Sequence, residues 1–265
     1  MTRADSATLY VFPGSHPCSS AMLMLDLKGI PYRRVDLVPG LHPLSVRMRG
    51  FPGSRTPIRQ VDGGTHRSLG LMDRIGTVPA LRFGDEKIQT NREIARFLER
   101  THPEPPLFPS DGERRRAVEE AELWGDEVLQ MAARRIVLAA GRRGVEELRD
   151  RGGRGRLGPL MSENETVRVA VARVSAPIFK ATDSSERDLL AALPEMLDSV
   201  DAWIAAGVLD GGELNAADLM IAPSLALLAY RLDLRPEIEA RAAGAFLERV
   251  LPEPHPSSGL ASPAA

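Results

Sequence analysis

The sequence predicts a small α/β domain followed by an all-helical domain, and three observations carry this prediction. Strand-like and helix-like segments alternate over roughly the first 90 residues. Residues 101–112 (THPEPPLFPSDG) then contain four prolines, which is typical of a stiff linker between domains. Beyond this linker the apolar residues recur at helical spacing, and no segment has the composition of a strand.

The first elements follow from their composition. Thr8–Phe12 (TLYVF) is a β-rich run that stops at Pro13–Gly14, which predicts a buried strand and a turn. Pro17 suits the first turn of a helix, and Gly29 suits the position just after its end. Tyr32–Leu37 (YRRVDL) predicts a second strand. A strand, a helix and a strand in this order predict a right-handed βαβ unit with parallel strands.

The next stretch has two parts of different character. Residues 38–76 are rich in Gly, Pro and Arg and show no sustained period, so we expect an irregular functional or mobile segment there. Residues 77–89 (TVPALRFGDEKIQ) predict two short strands around the turn Gly84–Asp85, with Pro79 at a sheet edge or at an irregular point. Residues 91–100 predict an amphipathic helix, which completes a βαβ–ββα domain.

We therefore divide the chain into residues 1–100, the linker 101–112, a helical domain over 113–250, and a tail over 251–265 that is disordered by composition. In the helical domain, Pro194 should kink a helix or mark its true start. The segment LNAADL predicts a helix N-terminus with Asn215 as the N-cap and Asp218 completing a capping box. The predicted helices cover 113–140, 163–181, 186–206, 215–231 and 235–250.

Composition excludes several classes of protein. The 265 residues carry a net charge of -2, which gives no attraction to nucleic acid or to a membrane. A single cysteine, Cys18, cannot form an internal disulfide, and the N-terminus lacks the apolar run of a signal peptide. We therefore expect a soluble cytoplasmic protein. The five histidines (16, 42, 66, 102 and 255) show no ligand spacing, so no metal site is expected.

This order of parts, with three motifs, resembles the glutathione S-transferase superfamily over roughly residues 8–250. The motifs are SHPCSSAMLMLDLKGIPY before and along the first helix, TVPAL before the third strand, and LNAADLMIAPSL in the helical domain. The resemblance implies a thioredoxin-like N-terminal domain, a helical C-terminal domain and a two-fold homodimer. It also implies a detoxifying enzyme that needs no metal and conjugates glutathione, or a related small thiol, to a small-molecule electrophile.

The resemblance places the catalytic position at Ser15, counted back from Lys28-Gly29-Ile30. There a hydroxyl would hold the thiolate of glutathione by a hydrogen bond at the positive end of the first helix. From the residues alone, Ser15 could equally be a simple helix cap. Cys18 occupies the second cysteine position of a glutaredoxin-like C-x-x-C motif. It is either a reactive thiol of a thiol-disulfide reductase or deglutathionylase, or a small half-buried side chain. His16 could polarise the thiol or lie exposed in the turn.

The resemblance also implies that the Val78–Pro79 bond is cis, which would leave the Val78 backbone free to pair with the cysteinyl part of the thiol. The family usually has an acidic residue or Gln followed by Ser at the start of the third helix, and here those positions are Thr90 and Asn91. Asn91 would be the N-cap and could help to receive a carboxylate. Thr90 offers no negative charge for the α-ammonium group of glutathione, unless Gln89 takes this role. The bound thiol could therefore be a different one, or thiol binding could be lost.

Two further sets of residues belong to this hypothesis. An arginine of the 38–76 segment could pair with the glycyl carboxylate of glutathione. The arginines there are 47, 49, 55, 59, 67 and 74, although such a run is commonly a solvated loop. The acceptor pocket should lie between the two domains, with Trp124, Val128, Met131 and Arg135 as candidates for its lining. A non-catalytic module that keeps the fold for partner binding is a third hypothesis.

Overall fold

The structure is a computed structural model, and it describes residues 7–38, 40–51, 78–144, 148 and 155–254. It confirms the predicted fold class, a mixed α/β domain followed by a helical one. The N-terminal domain contains β1 (Ala7–Val11), α1 (His16–Leu27), β2 (Tyr32–Asp36), α2 (His42–Met48), β3 (Ala80–Phe83), β4 (Glu86–Gln89) and α3 (Asn91–Thr101). The helical domain contains α4 (Gly112–Trp124), α5 (Gln130–Arg143), α6 (Glu165–Ile178), α7 (Asp183–Ala205), α8 (Ala216–Leu228), α9 (Arg235–Glu239) and α10 (Ala242–Val250).

The four described strands form one mixed sheet in the order β2-β1-β3-β4. β1 and β2 are parallel, as the βαβ pattern predicts, and the pairs β1–β3 and β3–β4 are antiparallel. Tyr10 pairs with Ala80, which in turn pairs with Gln89. The chain segments that follow β1, precede β3 and follow β4 therefore leave the sheet at the same end.

The two faces of the sheet are covered differently. Leu9 and Val11 lie in the main core together with the buried side of α1, where Met24 is fully buried. Tyr10 points to the other face, because successive strand residues alternate. There it joins a small cluster with Val46 of α2 and Phe51, whose ring lies 5.6 Å from that of Tyr10.

The main core continues from the N-terminal domain into the helical domain. Leu107 and Phe108, between α3 and α4, are buried in it, and the Leu107 carbonyl accepts a hydrogen bond from Ala216 N–H. The buried Lys28 ammonium holds the same segment to α1 through the carbonyls of Pro103 and Pro105. The segment between the domains is thus packed rather than extended into solvent.

The long helix predicted over 113–140 is interrupted by one wide turn. α4 and α5 are joined by a π-helical segment, Gly125–Leu129, so the chain continues in one direction from Gly112 to Arg143. α7 runs through Pro194 without ending there, which answers the alternative that Pro194 marks a helix start. The capping box at the start of α8 is confirmed, because Asn215 caps the helix and Asp218 accepts from Asn215 N–H.

Two sequence predictions are wrong, one in the N-terminal domain and one in the helical domain. The segment 38–76 contains a helix, α2, which the sequence did not predict because it has only seven residues and two of its apolar side chains, Leu44 and Met48, are exposed. The single helix predicted over 235–250 is two helices, α9 and α10, since the chain turns between Glu239 and Ala242. Residues 255–265 of the predicted tail lie outside the described residues.

No helix of the described residues is long and apolar enough to cross a membrane.

Candidate active site

Ser15 lies in the turn that joins β1 to α1. It is the N-cap of α1, and its Oγ accepts a hydrogen bond from Cys18 N–H at 3.4 Å. The side chain is half-buried, and its own N–H donates to the Phe12 carbonyl. A hydroxyl has one donor and two acceptor positions, so the capping bond leaves Ser15 able to donate to a ligand. The capping role is therefore present and compatible with the donor role.

Three chain segments lie at the same end of the sheet. The Ser15 turn follows β1, Val78–Pro79 precedes β3, and Thr90 follows β4, and the strand register brings all three to one end of the sheet. The Val78–Pro79 peptide bond is cis, as the resemblance implies. Among the described residues, none forms a backbone hydrogen bond with the Val78 N–H or C=O.

The start of α3 differs from the sequence prediction. The N-cap is Thr90, whose Oγ1 accepts from Glu93 N–H, and Asn91 is the first helical residue. Thr90 has φ 66° and ψ 147°, a conformation that a β-branched residue adopts only under constraint from its surroundings. Such strain is concentrated at ligand-binding sites and active sites in proteins generally.

The Asn91 side chain is directed at the helical domain. It is buried, its Nδ2 lies 3.8 Å from Met220 Sδ of α8, and its Oδ1 has no partner. The burial of the Asn91 side chain against the helical domain disfavours the predicted contact of its amide with a ligand carboxylate. Gln89 is also buried, at the end of β4 and paired with Ala80 in the sheet register.

Cys18 is a buried side chain in the first turn of α1. It is 1% exposed, and its Sγ accepts from Phe12 N–H at 3.5 Å. Burial raises the pKa of the Cys18 thiol to about 11, and the Ser15 side chain and the Phe12 N–H only partly offset this rise. A thiol that is protonated and enclosed at neutral pH is a poor nucleophile. This environment favours the packing interpretation of Cys18 over the reactive one.

His16 is not an exposed turn residue. It is 4% exposed, and its Nε2 lies 3.2 Å from the carbonyl oxygen of Gln130 at the start of α5. Burial, helped by the positive charge of Arg134, holds the pKa of His16 well below its usual value. The imidazole is therefore neutral at physiological pH and joins α1 to the helical domain.

A segment of the helical domain packs directly on the Ser15 turn. Met161 N–H donates to the Pro13 carbonyl at 3.2 Å. Gly14 has φ 70°, and a Cβ at this position would lie 2.6 Å from the Leu160 Cα. The hydroxyl of Tyr230 anchors the same segment by donating to the Gly158 carbonyl at 2.6 Å. Glycine is therefore required at position 14 by its backbone conformation and by this close approach.

The four candidates for the lining of the acceptor pocket are buried to different degrees. Trp124 packs against Trp203 within the helical domain, with ring centroids 5.0 Å apart, and Met131 is buried. Arg135 is buried and donates to the Phe179 carbonyl at 2.9 Å, which makes it a structural residue. Val128 is half-buried against the core.

The arginine-rich segment is described only at its start. Arg47 is exposed at the end of α2, and Arg49 donates to the Ser45 carbonyl at 2.7 Å with its guanidinium 5.3 Å from the Tyr10 ring centre. The other four candidates lie outside the described residues: Arg55, Arg59, Arg67 and Arg74.

A row of polar residues that the sequence did not predict lies along α4 and α5. Glu122 is buried and bidentate with Arg96 of α3, Asp126 follows one turn later, and Gln130 and Arg134 continue the row. Burial raises the pKa of Asp126 to about 7, although the nearby Arg92 lowers it. The spacing of four residues in a helical stretch was the signal that could have revealed this row.

Within the described ranges, no group of three or more His, Cys, Asp or Glu side chains is placed to hold a metal ion.

Comparison with known proteins agrees with this fold. Residues 9–106 match the family model described as glutathione S-transferase, N-terminal domain. A glutathione S-transferase of Ceriporiopsis subvermispora, solved in complex with glutathione, superposes over 92% of this chain and 94% of its own, with a TM-score of 0.58 and 16% identity. The glutathione transferase GSTFuA3 of Phanerochaete chrysosporium covers 93% of this chain and 96% of its own, with a TM-score of 0.60 and 16% identity.

A glutathione S-transferase-like protein of Pseudomonas syringae also matches, with a TM-score of 0.54 and 18% identity. The match covers 92% of this chain and 66% of that protein, so this chain spans about two thirds of its length. No curated protein matches the sequence. At these identities the solved structures show the fold, and the family model identifies the N-terminal domain. The resemblance to the glutathione S-transferase superfamily is thereby confirmed.

Proposed function

We propose that this chain, which has a glutathione S-transferase N-terminal domain and the glutathione S-transferase fold, conjugates a small thiol to an apolar electrophile. Glutathione is the thiol we expect, because a structural neighbour is solved with glutathione bound. The observation that carries the proposal is the meeting of Ser15, the cis Val78–Pro79 segment and the strained Thr90 at one end of the sheet.

In this proposal Ser15 stabilises the thiolate of the bound thiol. A free thiol has a pKa near 8.5 and is mostly protonated at neutral pH, so the site must favour its anionic form. The Ser15 hydroxyl would donate a hydrogen bond to the sulfur, and the N-terminal end of α1 would add a favourable dipole. The thiol proton leaves to solvent. The sulfur electron pair then forms the bond to the electrophilic carbon of the acceptor, and no covalent enzyme intermediate is formed.

The backbone would hold the rest of the thiol. The Val78 N–H and C=O would pair with the cysteinyl part of the tripeptide, as a strand pairs with a sheet edge. At the start of α3, the N–H groups of Asn91 and Arg92 have no acceptor within the helix, and they would receive the γ-glutamyl carboxylate. The backbone of Asn91 would thus do what its side chain cannot. The glycyl carboxylate would meet the arginine-rich segment.

Kinetics of Ser15 variants test this proposal. Ser15→Ala removes both the cap and the donor, Ser15→Asp keeps a strong cap but no donor, and Ser15→Thr keeps both. We expect glutathione conjugation by the threonine variant to remain close to that of the wild type. The alanine and aspartate variants should lose at least about tenfold in kcat/KM, which corresponds to the free energy of one charge-assisted hydrogen bond. Conjugation at the wild-type rate by the aspartate variant would remove Ser15 from the mechanism.

A non-catalytic binding module is the second candidate, and one observation favours it. The Asn91 side chain faces Met220 rather than the site, so the chain lacks a side chain that the family normally uses there. A thermal-shift titration with glutathione separates the two functions, because a ligand that binds only the folded state raises the Tm. A Tm that does not move at millimolar glutathione would favour the module. The third candidate, a reductase acting through Cys18, is disfavoured by the burial of that thiol.

We also propose the homodimer that the resemblance implies. Light scattering coupled to size exclusion would show twice the mass of the 28.8 kDa chain. A monomer at micromolar concentration would contradict it.

A further inference from the structure

Apolar side chains concentrate on the outer surface of α2. Seven large apolar side chains of the described residues are exposed, and four of them fall within residues 38–48. These four, which are between 58% and 77% exposed, form what we call the apolar stripe: Val38, Leu41, Leu44 and Met48. Single exposed apolar residues are common in proteins, whereas a group of them marks an interaction site.

The helix directs most of the apolar stripe away from the protein. α2 buries Pro43 and Val46 on the side that packs against the sheet. Because successive helical residues are rotated by about 100°, Leu41, Leu44 and Met48 lie on the opposite side of the helix. The stripe is therefore not part of the core of this domain.

A row of cations crosses the sheet on the side that α2 covers. Thr8 of β1 pairs with Arg33 of β2 and with Arg82 of β3, and Arg82 pairs in turn with Lys87 of β4. Directly paired residues lie on the same face of a sheet, and Thr8 shares its face with Tyr10, which packs against α2. The three cations therefore project on the same side as α2, and all three are exposed.

Further cations connect this row to α2. The Nζ of Lys87 would lie 2.6 Å from a Cβ at Gly50, so its ammonium group reaches the C-terminal end of the helix. Arg47 and Arg49 lie at the same end and are exposed, and the guanidinium of Arg49 lies 5.3 Å from the ring centre of Tyr10. We call the five cations the basic rim: Arg33, Arg47, Arg49, Arg82 and Lys87.

Within the described part of the chain, no acid neutralises the basic rim. Arg49 and Arg82 donate only to backbone carbonyls, and no ion pair involves any of the five cations. Asp36 and Glu86 are the acids of the neighbouring strands, and strand alternation places both on the opposite face of the sheet. Asp85 lies in the turn between β3 and β4, at the border of the rim. The rim therefore keeps most of its positive charge.

The local charge differs from the charge of the whole chain. The net charge of -2, from which we expected no attraction to a membrane, is a sum over 265 residues. Charges that are farther apart than the Debye length, about 8 Å at physiological salt, are largely screened from each other. Residues 37–61 contain no Asp or Glu. A surface that approaches α2 therefore meets an apolar centre with cations around it.

We propose that this face of the N-terminal domain binds anionic lipid membranes. Membrane-surface sites combine an apolar helix face, which enters the boundary between head groups and acyl chains, with Lys and Arg residues that attract anionic lipids. The apolar stripe enters the lipid, and the basic rim contacts the phosphates of the head groups. The stripe protrudes on a helix, and a fluid lipid surface adapts to such a shape, whereas a protein partner would need a matching groove.

Vesicle binding tests the proposal with the full chain. The protein is sedimented with vesicles of phosphatidylcholine, either alone or with phosphatidylglycerol as one third of the lipid. We expect the mixed vesicles to bind the protein at least about tenfold more tightly, since each cation near an anionic surface contributes about a factor of five. Raising the salt from about 0.1 M to about 1 M should weaken this binding, because the Debye length falls to about 3 Å. A wild type that binds neither kind of vesicle, or both equally, would overturn the proposal and leave the face to a protein partner.

A pair of double variants tests the basic rim. Arg33→Gln with Lys87→Gln removes two of its cations, and we expect about 25-fold weaker binding to the mixed vesicles. The control is Arg114→Gln with Arg116→Gln, which removes two exposed arginines of α4 and changes the net charge by the same amount. The control should bind like the wild type. Equal affinity of the two double variants would overturn the assignment to this face.

A second pair tests the apolar stripe. Leu44→Gln with Met48→Gln should bind the mixed vesicles at least about tenfold more weakly, since burying one such side chain is worth at least that much. The control is Val167→Gln with Val174→Gln, which changes two exposed apolar residues of α6 and should bind like the wild type. A stripe variant that melts like the wild type and binds as tightly would overturn the proposal.

A fluorescent label reports the insertion directly. An environment-sensitive dye is attached to Met48→Cys, and the native Cys18 does not compete because it is 1% exposed. The emission should shift to the blue with mixed vesicles, and the same dye on Val174→Cys should not shift. No shift at position 48, or equal shifts at both positions, would overturn the proposal. Ser15→Ala should bind vesicles like the wild type, so this inference and the proposed transferase activity fail independently.

Discussion

Replacing Gly14 with alanine tests how the helical domain holds the active-site turn. Gly14 has φ 70°, and an added Cβ would meet the backbone at Pro159 O and Leu160 Cα, neither of which can move alone. The nearby bond from Met161 N–H to the Pro13 carbonyl would stretch or break. Gly29 provides the matched control. It has φ 62°, and nothing lies within 4 Å of an added Cβ.

The magnitudes follow from these differences. Both alanine variants lose about 1–2 kcal/mol, because an L-residue is unfavourable in the left-handed region. Gly14→Ala additionally loses a hydrogen bond worth about 1 kcal/mol and overpacks a backbone contact at about 1–3 kcal/mol. We therefore expect Gly29→Ala to lower the free energy of unfolding by about 1–2 kcal/mol, and Gly14→Ala by about 3–6 kcal/mol.

Urea titrations followed by tryptophan fluorescence measure both changes. The m-value should stay the same in each variant, since the fold is retained. The reasoning is refuted if the two variants lose equal stability, because the contact between the turn and the Leu160 segment would then contribute nothing. We also expect Gly14→Ala to weaken thiol binding, because Ser15 is the next residue.

Three other predictions concern buried charged groups and the thiol. Arg96→Met leaves the fully buried Glu122 with only Arg92, whose Nε lies 4.0 Å from its carboxylate. We therefore expect a loss of about 2–4 kcal/mol in the free energy of unfolding in urea titrations, against less than about 1 kcal/mol for the exposed pair broken by Arg34→Met. Equal losses would refute this prediction. Burial raises the pKa of Asp126 to about 7, so the folded chain holds a proton that the unfolded chain releases near pH 4. The free energy of unfolding of the wild type should therefore fall as the pH rises from 4 to 7. Asp126→Asn should be more stable than the wild type at pH 8, and this difference in stability should shrink toward pH 4. A difference that is constant with pH would contradict this. Native Cys18 should react with a disulfide reagent at pH 8 only as fast as the protein unfolds, and a rapid reaction without denaturant would restore the reductase hypothesis.

Local sequence signals predicted the elements that depend on neighbours along the chain. The first strand, the Pro–Gly turn and the first helix are encoded within about 20 residues, and the Asn215 capping box is a contact over three residues. Helix α2 escaped because it is short and its apolar residues are exposed, so it lacks the amphipathic pattern on which prediction depends.

The site residues were harder to predict because their surroundings come from distant parts of the chain. The Asn91 side chain contacts Met220 and the His16 ring contacts Gln130, and each partner is more than 100 residues away in sequence. No local pattern at either position carries that information. The position of Ser15 could be predicted from the sequence because a turn before a helix has few conformations, and a hydroxyl there caps the helix in any fold.

The ionisation of the bound thiol tests the central claim most directly. Ultraviolet absorbance of the thiolate, recorded between pH 5 and 10 with glutathione bound to wild type and to Ser15→Ala, gives the pKa of the bound sulfur. We predict a wild-type value at least about one unit below that of free glutathione, and a return to the free value in Ser15→Ala. A bound thiol with the same pKa in both proteins would contradict the claim that Ser15 stabilises the thiolate.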